Sequence, residues 1–179
     1  MSYNFANFKN ELKKVEDFLS KEYSQLNIGR ASPIVLDSVM VESYGQKQPV
    51  KNVASVGIED PKTLRINPWD KNNIKEIEKA IMAANLGLST AVDESGIRVV
   101  FPQLTGETRQ KLVKVLKDKL EESRISVRKV RQDQMDALAA AELNEDDLKR
   151  GKDELQKLVD EANKNLEGIF SKKESEVLN

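Results

Sequence analysis

The strongest constraint on the fold is an apolar seam that repeats every three or four residues in the second half of the chain. Between about Gly106 and Ala141 the seam passes through Val113, Leu116, Leu120, Ser123, Val127, Val130, Gln134 and Ala137. This spacing is typical of one face of an α-helix, and Thr105 is suited to cap its N-terminus. At 1.5 Å per residue, such a helix is on the order of 50 Å long.

Two other segments carry seams of the same kind. The first helix is predicted from about Tyr3 to Ile28, with Glu22 the only break in its seam and Gly29 ending it. A third helix is predicted to open at Asn144, where Asp147 completes a capping arrangement. The short link after Ala141 makes the second and third helices antiparallel neighbours. The seams predict an elongated antiparallel three-helix bundle within one monomeric chain, formed by residues 1–29 and 105–179; a coiled-coil oligomer is the alternative.

Residues 31–104 show a different pattern of apolar residues from the three seams. They are predicted to form a small α+β domain inserted into the bundle. Alternating polarity predicts a strand from Leu36 to Tyr44 and further strands at 53–58, 63–66 and 97–101. One helical stripe between them contains Ile74, Ile77, Ile81 and Ala84. The fold class is therefore α+β, with four to six strands and one helix in the insertion. Trp69 is expected to be a core or cap residue of this domain.

The composition excludes several kinds of chemistry. The chain has no cysteine and no histidine, so disulfides, zinc–thiolate sites and the commonest general base are absent. It also has no glycine-rich phosphate loop. We therefore expect no metal, no cofactor and no enzymatic activity; a hydrolase built on carboxylates or lysine has no supporting motif. No apolar run exceeds five residues and no leader is visible, so we expect a soluble cytoplasmic protein.

Charge is unevenly distributed along the chain. The net charge is −1, but residues 105–131 carry nine basic and four acidic side chains, and residues 132–179 carry seven and thirteen. Lys117, Arg124, Arg128 and Arg131 follow one another at intervals of seven, four and three residues, which places them on one stripe of the second helix. Arginine can hold a phosphate with two hydrogen bonds, so the stripe is a candidate nucleic-acid surface. An ordinary solvated face, paired with the acidic third helix or with Glu121 and Glu122, is an equally good interpretation from the residues alone.

The manner of any nucleic-acid binding can be narrowed further. No aromatic residue lies between positions 102 and 169, so the helical part offers no platform for stacking unpaired bases. Binding would be to phosphates and to the shape of folded RNA.

Several motifs, in order along the whole chain, resemble the ribosome recycling factors. They are Gly29–Pro33 (GRASP), Leu36-Asp37, Tyr44-Gly45, Thr63–Lys71 (TLRINPWDK), Ile97-Arg98, Pro102, Leu104-Thr105, Val127–Arg131 (VRKVR), Glu145–Asp147 and Gln156–Leu158. The resemblance implies a three-helix bundle with an inserted α+β domain on a two-strand hinge. It also implies binding to the large subunit of the post-termination ribosome and its rRNA, and subunit splitting together with elongation factor G, which supplies the GTPase.

The stripe and the resemblance together predict the site residues. The predicted rRNA-binding residues are Arg30, Arg109, Lys117, Arg124, Arg128, Lys129 and Arg131. The predicted hinge residues are Gly29, Arg30, Ala31, Ser32, Pro33, Gln103, Leu104 and Thr105. The family often has more basic residues at Gly106, Thr108 and Gln132, so a weaker RNA surface is expected here. A helical adaptor that binds only proteins is the competing hypothesis.

Overall fold

The computed structural model describes residues 3–179, which form two compact units. One unit contains the chain up to Tyr23 together with Arg109–Asn179, and the other contains Ser24–Thr108. Within the described residues the α-helices are α1 Ala6–Ser24, α2 Val50–Val53, α3 Ile74–Ala83, α4 Gly106–Ala139 and α5 Glu145–Leu178. The strands are β1 Met40–Ser43, β2 Gln46–Pro49, β3 Ala54–Asp60, β4 Thr63–Pro68, β5 Ser89–Val92 and β6 Ile97–Val100.

The helical unit buries most of the seam positions that the sequence predicts, but near the end of α4 the buried residue is Leu138, and the predicted Ala137 is exposed. The buried apolar residues of α1, α4 and α5 are Phe8, Leu12, Leu19, Tyr23, Leu116, Leu120, Val127, Leu138, Leu155, Val159, Ala162, Leu166, Phe170 and Val177. Helix α5 begins as predicted, because the Asn144 side chain accepts a hydrogen bond from the Asp147 N–H at 2.8 Å. Thr105 accepts one from the Thr108 N–H at 3.2 Å at the start of α4. These caps satisfy backbone donors that have no partner inside the helix.

Helix α1 is shorter than predicted at both ends. It begins at Ala6, whose N–H is bonded to the Asn4 side chain at 2.9 Å, and it ends at Ser24 instead of Ile28. Asn27 accounts for the early end: its side chain accepts a hydrogen bond from the Gly29 N–H at 2.9 Å and donates one to the Leu86 carbonyl at 3.2 Å. The chain after Ser24 is thus held by the inserted unit.

Glu22 interrupts the apolar seam of α1, and the next residue in the chain takes its place in the core. Tyr23, the next residue, is buried instead of Glu22, and its hydroxyl donates a hydrogen bond to the Leu116 carbonyl at 2.6 Å. Burial, with smaller contributions from Glu167 and Glu174, raises the pKa of Tyr23 to about 12. Glu22 turns outward and forms an ion pair with Lys119 of α4. The polar residue that interrupts the α1 seam therefore forms an ion pair between α1 and α4.

The inserted unit contains two antiparallel sheets, the helix α3 and the one-turn helix α2. Strands β1 and β2 form a hairpin, and the second sheet has the order β3-β4-β6-β5. Leu64 and Ile66 of β4 are paired with Val99 and Ile97 of β6, and all four are fully buried. They belong to one core cluster with Ile74, Ile77 and Ile81 of α3. The predicted α+β insertion is confirmed, with six strands.

The insertion differs from the predictions in several details. It has the one-turn helix α2 besides the one helix predicted. Leu36 belongs to a 3-10 helix, Pro33–Leu36, and the strand begins only at Met40; Pro33 favours such a helical turn because its φ is fixed and it has no N–H. Strands β2 and β5 were not predicted. Both lack the apolar alternation of a half-buried strand, since their residues are largely exposed or half-buried.

Trp69 is not a core residue, contrary to the prediction, because 70% of its surface is exposed. Its backbone N–H donates to the Val53 carbonyl at 3.0 Å, which extends the β3–β4 ladder by one residue pair. Side chains alternate along a strand, and Trp69 has the same parity as the exposed Asn67, whereas Leu64 and Ile66 have the buried parity.

Candidate nucleic-acid interface

The predicted basic stripe lies along the surface of α4, and its residues differ in what they contact. All of Lys117, Arg124, Arg128 and Arg131 fall within Gly106–Ala139, which is helical throughout. A continuous helix holds these side chains at fixed separations, since each residue advances by 1.5 Å. The stripe is therefore a rigid array, and the neighbouring acidic side chains decide which of its charges are available to a ligand.

Arg124 is held by carboxylates on two sides. Its Nη2 lies 2.5 Å from Oε2 of Glu167, on α5, and its Nη1 lies 3.9 Å from Oε2 of Glu121, on its own helix. Its side chain is 38% exposed. For Arg124, the structure therefore agrees with the interpretation in which the basic face pairs with the acidic third helix.

Arg128 and Arg131 are more available. The only carboxylate on Arg128 in the described chain is that of Glu121, 3.3 Å from Nη2, and 69% of the Arg128 side chain is exposed. Arg131 donates from Nε to the neutral amide oxygen of Gln156 on α5, at 3.3 Å. A bond from Nε leaves the two terminal amino groups of Arg131 able to bind a phosphate.

The remaining predicted RNA-binding residues occupy three different settings. Lys117 and Lys129 are exposed on α4, and Lys117 lines a surface groove of about 370 Å³ beside Leu178 of α5. Arg109 donates from Nη1 to the Leu178 carbonyl at 2.5 Å, so it caps the C-terminus of α5. Arg30 is exposed and belongs to the other unit, Ser24–Thr108.

The predicted hinge segments contact each other within the inserted unit. Gly29 has a φ of +77°, a conformation that favours glycine, and a Cβ added there would lie 3.2 Å from the Pro102 carbonyl oxygen and 3.5 Å from Leu104. The Ala31 N–H donates to the Pro61 carbonyl at 2.9 Å. The two segments where the chain enters and leaves the insertion therefore pack against each other, and the first of them is hydrogen-bonded to the insertion.

Two residues that contact the stripe were missed from the sequence. Glu167 and Gln156 lie on α5, 43 and 25 residues away from their arginine partners. No motif signals such pairs, because they depend on how far α5 is displaced along α4. The available signal was only that residues 132–179 are acidic as a whole.

Other kinds of site are not seen in the residues described. No group of three or more acidic side chains in residues 3–179 is arranged to hold a metal ion. None of the described helices is both long enough and apolar enough to cross a membrane.

The fold and the surface together define the class: an α+β protein in which a three-helix bundle displays exposed arginines. A family model described as "Ribosome recycling factor" matches residues 19–178. The chain is 40% identical over 173 residues to the ribosome-recycling factor of Desulforamulus reducens, covering 95% of this chain and 94% of the relative. It is 42% identical over 177 residues to that of Enterococcus faecalis, covering 97% and 96%.

Solved structures agree with these relatives. A solution structure of the ribosome recycling factor is 32% identical, with a TM-score of 0.77 and 99% of each chain covered. Another, with 34% identity, a TM-score of 0.64 and coverage of 98% and 97%, shows models of the T. thermophilus ribosome recycling factor and the E. coli elongation factor G bound to the E. coli post-termination complex. The chain belongs to the ribosome recycling factor family.

Proposed function

We propose that this protein is a translation factor that binds the post-termination ribosome and, with elongation factor G and GTP, promotes its disassembly into subunits. Two observations support the assignment: the family to which the chain belongs, and the solved relative that is bound, like elongation factor G, to a post-termination complex. The structural observation that carries it is that Arg128 is exposed on helix α4 and that Arg131, half-buried on the same helix, bonds a neutral amide rather than a carboxylate.

The proposed ligand of the stripe is the rRNA of the large subunit. Guanidinium groups on one continuous helix can contact several phosphates of folded RNA, and such contacts position a protein without reading bases. Arg128, Arg131, Lys117 and Lys129 are the proposed principal contacts, since they are exposed or free of carboxylates on α5. Arg124 and Arg109 are proposed as weaker contacts because each already holds a protein oxygen. Arg30 is proposed to contribute from the inserted unit.

The proposed role is not enzymatic. GTP hydrolysis is assigned to elongation factor G, and this protein acts as a monomer in the cytoplasm that binds two partners. A purely protein-binding adaptor is the competing function, and it would leave the arginine stripe without a ligand.

We also propose that residues 29–33 and 103–105 act as the hinge through which the inserted unit moves during splitting. Residues 29–33 contain a left-handed glycine and a proline, residues 103–105 directly follow Pro102, and Gly29 lies against Pro102 and Leu104, so the two segments would move as a pair. A cross-link that holds the two units together is expected to leave ribosome binding unchanged and to abolish subunit splitting. Normal splitting by the cross-linked protein would remove interdomain motion from the mechanism.

The proposed function predicts two results with purified components. The protein is expected to pellet with large ribosomal subunits, less so as salt rises, and to convert post-termination ribosomes to free subunits only when elongation factor G and GTP are present. Light scattering measures the splitting and sedimentation measures the binding. Failure to pellet at low salt, with capture of a protein partner instead, would favour the adaptor.

A further inference from the structure

The carboxylates beside the stripe differ in how tightly they hold its arginines. Glu167 contacts Arg124 at 2.5 Å, and Glu121 contacts both Arg124, at 3.9 Å, and Arg128, at 3.3 Å. Arg131, three residues further along α4, has the uncharged Gln156 in the corresponding place on α5. Helix α5 thus presents a charged acceptor to one arginine of the stripe and a neutral acceptor to another.

We infer that Glu167 is an affinity-determining residue, whose carboxylate occupies the phosphate position of Arg124 and so lowers the affinity of the stripe for RNA. The inference rests on the proposed function and extends it to a residue on α5. A carboxylate and a phosphate offer a guanidinium the same feature, a pair of oxygens accepting hydrogen bonds from its amino groups. A phosphate on Arg124 therefore competes with Glu167 for the Nη2 amino group.

The energetics of the pair allow this exchange. The side chains of Arg124 and Glu167 are 38% and 50% exposed, and ion pairs between exposed groups contribute at most about 1 kcal/mol. Such a pair holds Arg124 in the free protein without fixing it permanently. Arg131 faces no comparable competition, because a neutral amide oxygen is a weaker acceptor for a cation than a phosphate is.

Glu167 therefore lowers the affinity of the stripe for RNA, because it occupies Arg124 of α4, which could otherwise bind a phosphate. Removing its charge should free one guanidinium for a phosphate contact, and each such contact adds about 0.7 to 0.9 to the slope of log affinity against log salt. A factor that must leave the subunit after each round gains from an affinity below the maximum that its surface could supply.

The test is the substitution Glu167→Gln, which keeps the shape of the side chain. Its affinity for purified large ribosomal subunits should rise roughly two- to five-fold at 0.1 M salt, and the salt slope should steepen by about 0.7 to 0.9. The matched control is Glu161→Gln, which makes the same charge change on α5 but lies beside α1, in a groove with Lys9, Lys13 and Glu16. The control should leave the slope unchanged.

A double-variant cycle separates a specific effect from general electrostatics. Arg124→Ala alone should weaken binding by less than two-fold, and adding it to Glu167→Gln should abolish the gain. If the gain persists without Arg124, or if Glu161→Gln produces the same gain, the inference is overturned. The proposed function has a separate test. It fails if replacing Arg128 and Arg131 with alanine, as described below, does not weaken binding to large ribosomal subunits. Thermal unfolding should show that all these variants fold.

Discussion

Replacing Arg128 and Arg131 together with alanine is expected to weaken binding to large ribosomal subunits by roughly 10- to 100-fold near 0.1 M salt. Each arginine that contacts a phosphate releases condensed counterions, so the slope of log affinity against log salt should fall by about 1.4 to 1.8 for the pair. The effect is large because these two guanidiniums are the ones that α5 does not neutralise with a carboxylate.

The measurement is sedimentation or fluorescence titration with purified large subunits over a range of salt concentrations. A matched control removes two positive charges elsewhere on the bundle, with Lys13→Ala and Lys14→Ala on α1. Both lysines are exposed and paired with acidic residues of their own helix, Asp17 and Glu11. The control should lower affinity by no more than about two-fold, a general effect of net charge. Equal losses in the two double variants would mean that α4 carries no specific RNA surface.

Replacing Gly96 with alanine is expected to destabilise the inserted unit by about 3 to 5 kcal/mol. A Cβ at position 96 would lie 2.1 Å from the backbone oxygen of Ile66. That oxygen cannot move aside easily, because Ile66 is buried and is paired with Ile97 in the β4–β6 ladder. Either the strands must separate locally, or the turn between β5 and β6 must change, which is closed by a hydrogen bond from the Asp93 N–H to the Gly96 carbonyl at 2.9 Å.

Urea unfolding and hydrogen exchange of the β4 and β6 amides would measure this loss. Gly57→Ala is the control, since a Cβ at Gly57, on β3 of the same sheet, has no atom within 4 Å. It should change stability by less than about 1 kcal/mol. If Gly96→Ala were as stable as this control, the close approach of β6 to Ile66 would not be a feature of the folded protein.

Several elements could be predicted because their signals are local. Asn144 and Asp147 are three residues apart, and the cap they form needs no other part of the chain. The α3 stripe of Ile74, Ile77 and Ile81 was recognisable for the same reason. The strands β2 and β5 were missed because their residues are mostly exposed or half-buried and lack apolar alternation, and they form only where a partner strand supplies their hydrogen bonds.

The candidate site was likewise predictable only in those features that depend on residues close together in the chain. Spacing on one helix placed the four basic residues on a single stripe, but it could not show that Arg124 meets a carboxylate while Arg131 meets an amide. Similarly, alternation gives Trp69 the exposed parity only because the β3–β4 ladder continues past Pro68 to position 69, and the sequence did not show where this ladder ends.

The sequence by itself determined the three helical seams, the inserted α+β domain, the helix caps and the existence of a basic stripe, because each depends on residues a few positions apart. Only the tertiary structure decided which stripe charges are free, because that depends on the register of α5 against α4. The packing sets this register: a Cβ at Gly151 of α5 would lie 2.9 Å from the Leu138 side chain of α4. Long-range register of this kind follows from the fit of whole surfaces, which no short pattern in a single chain encodes.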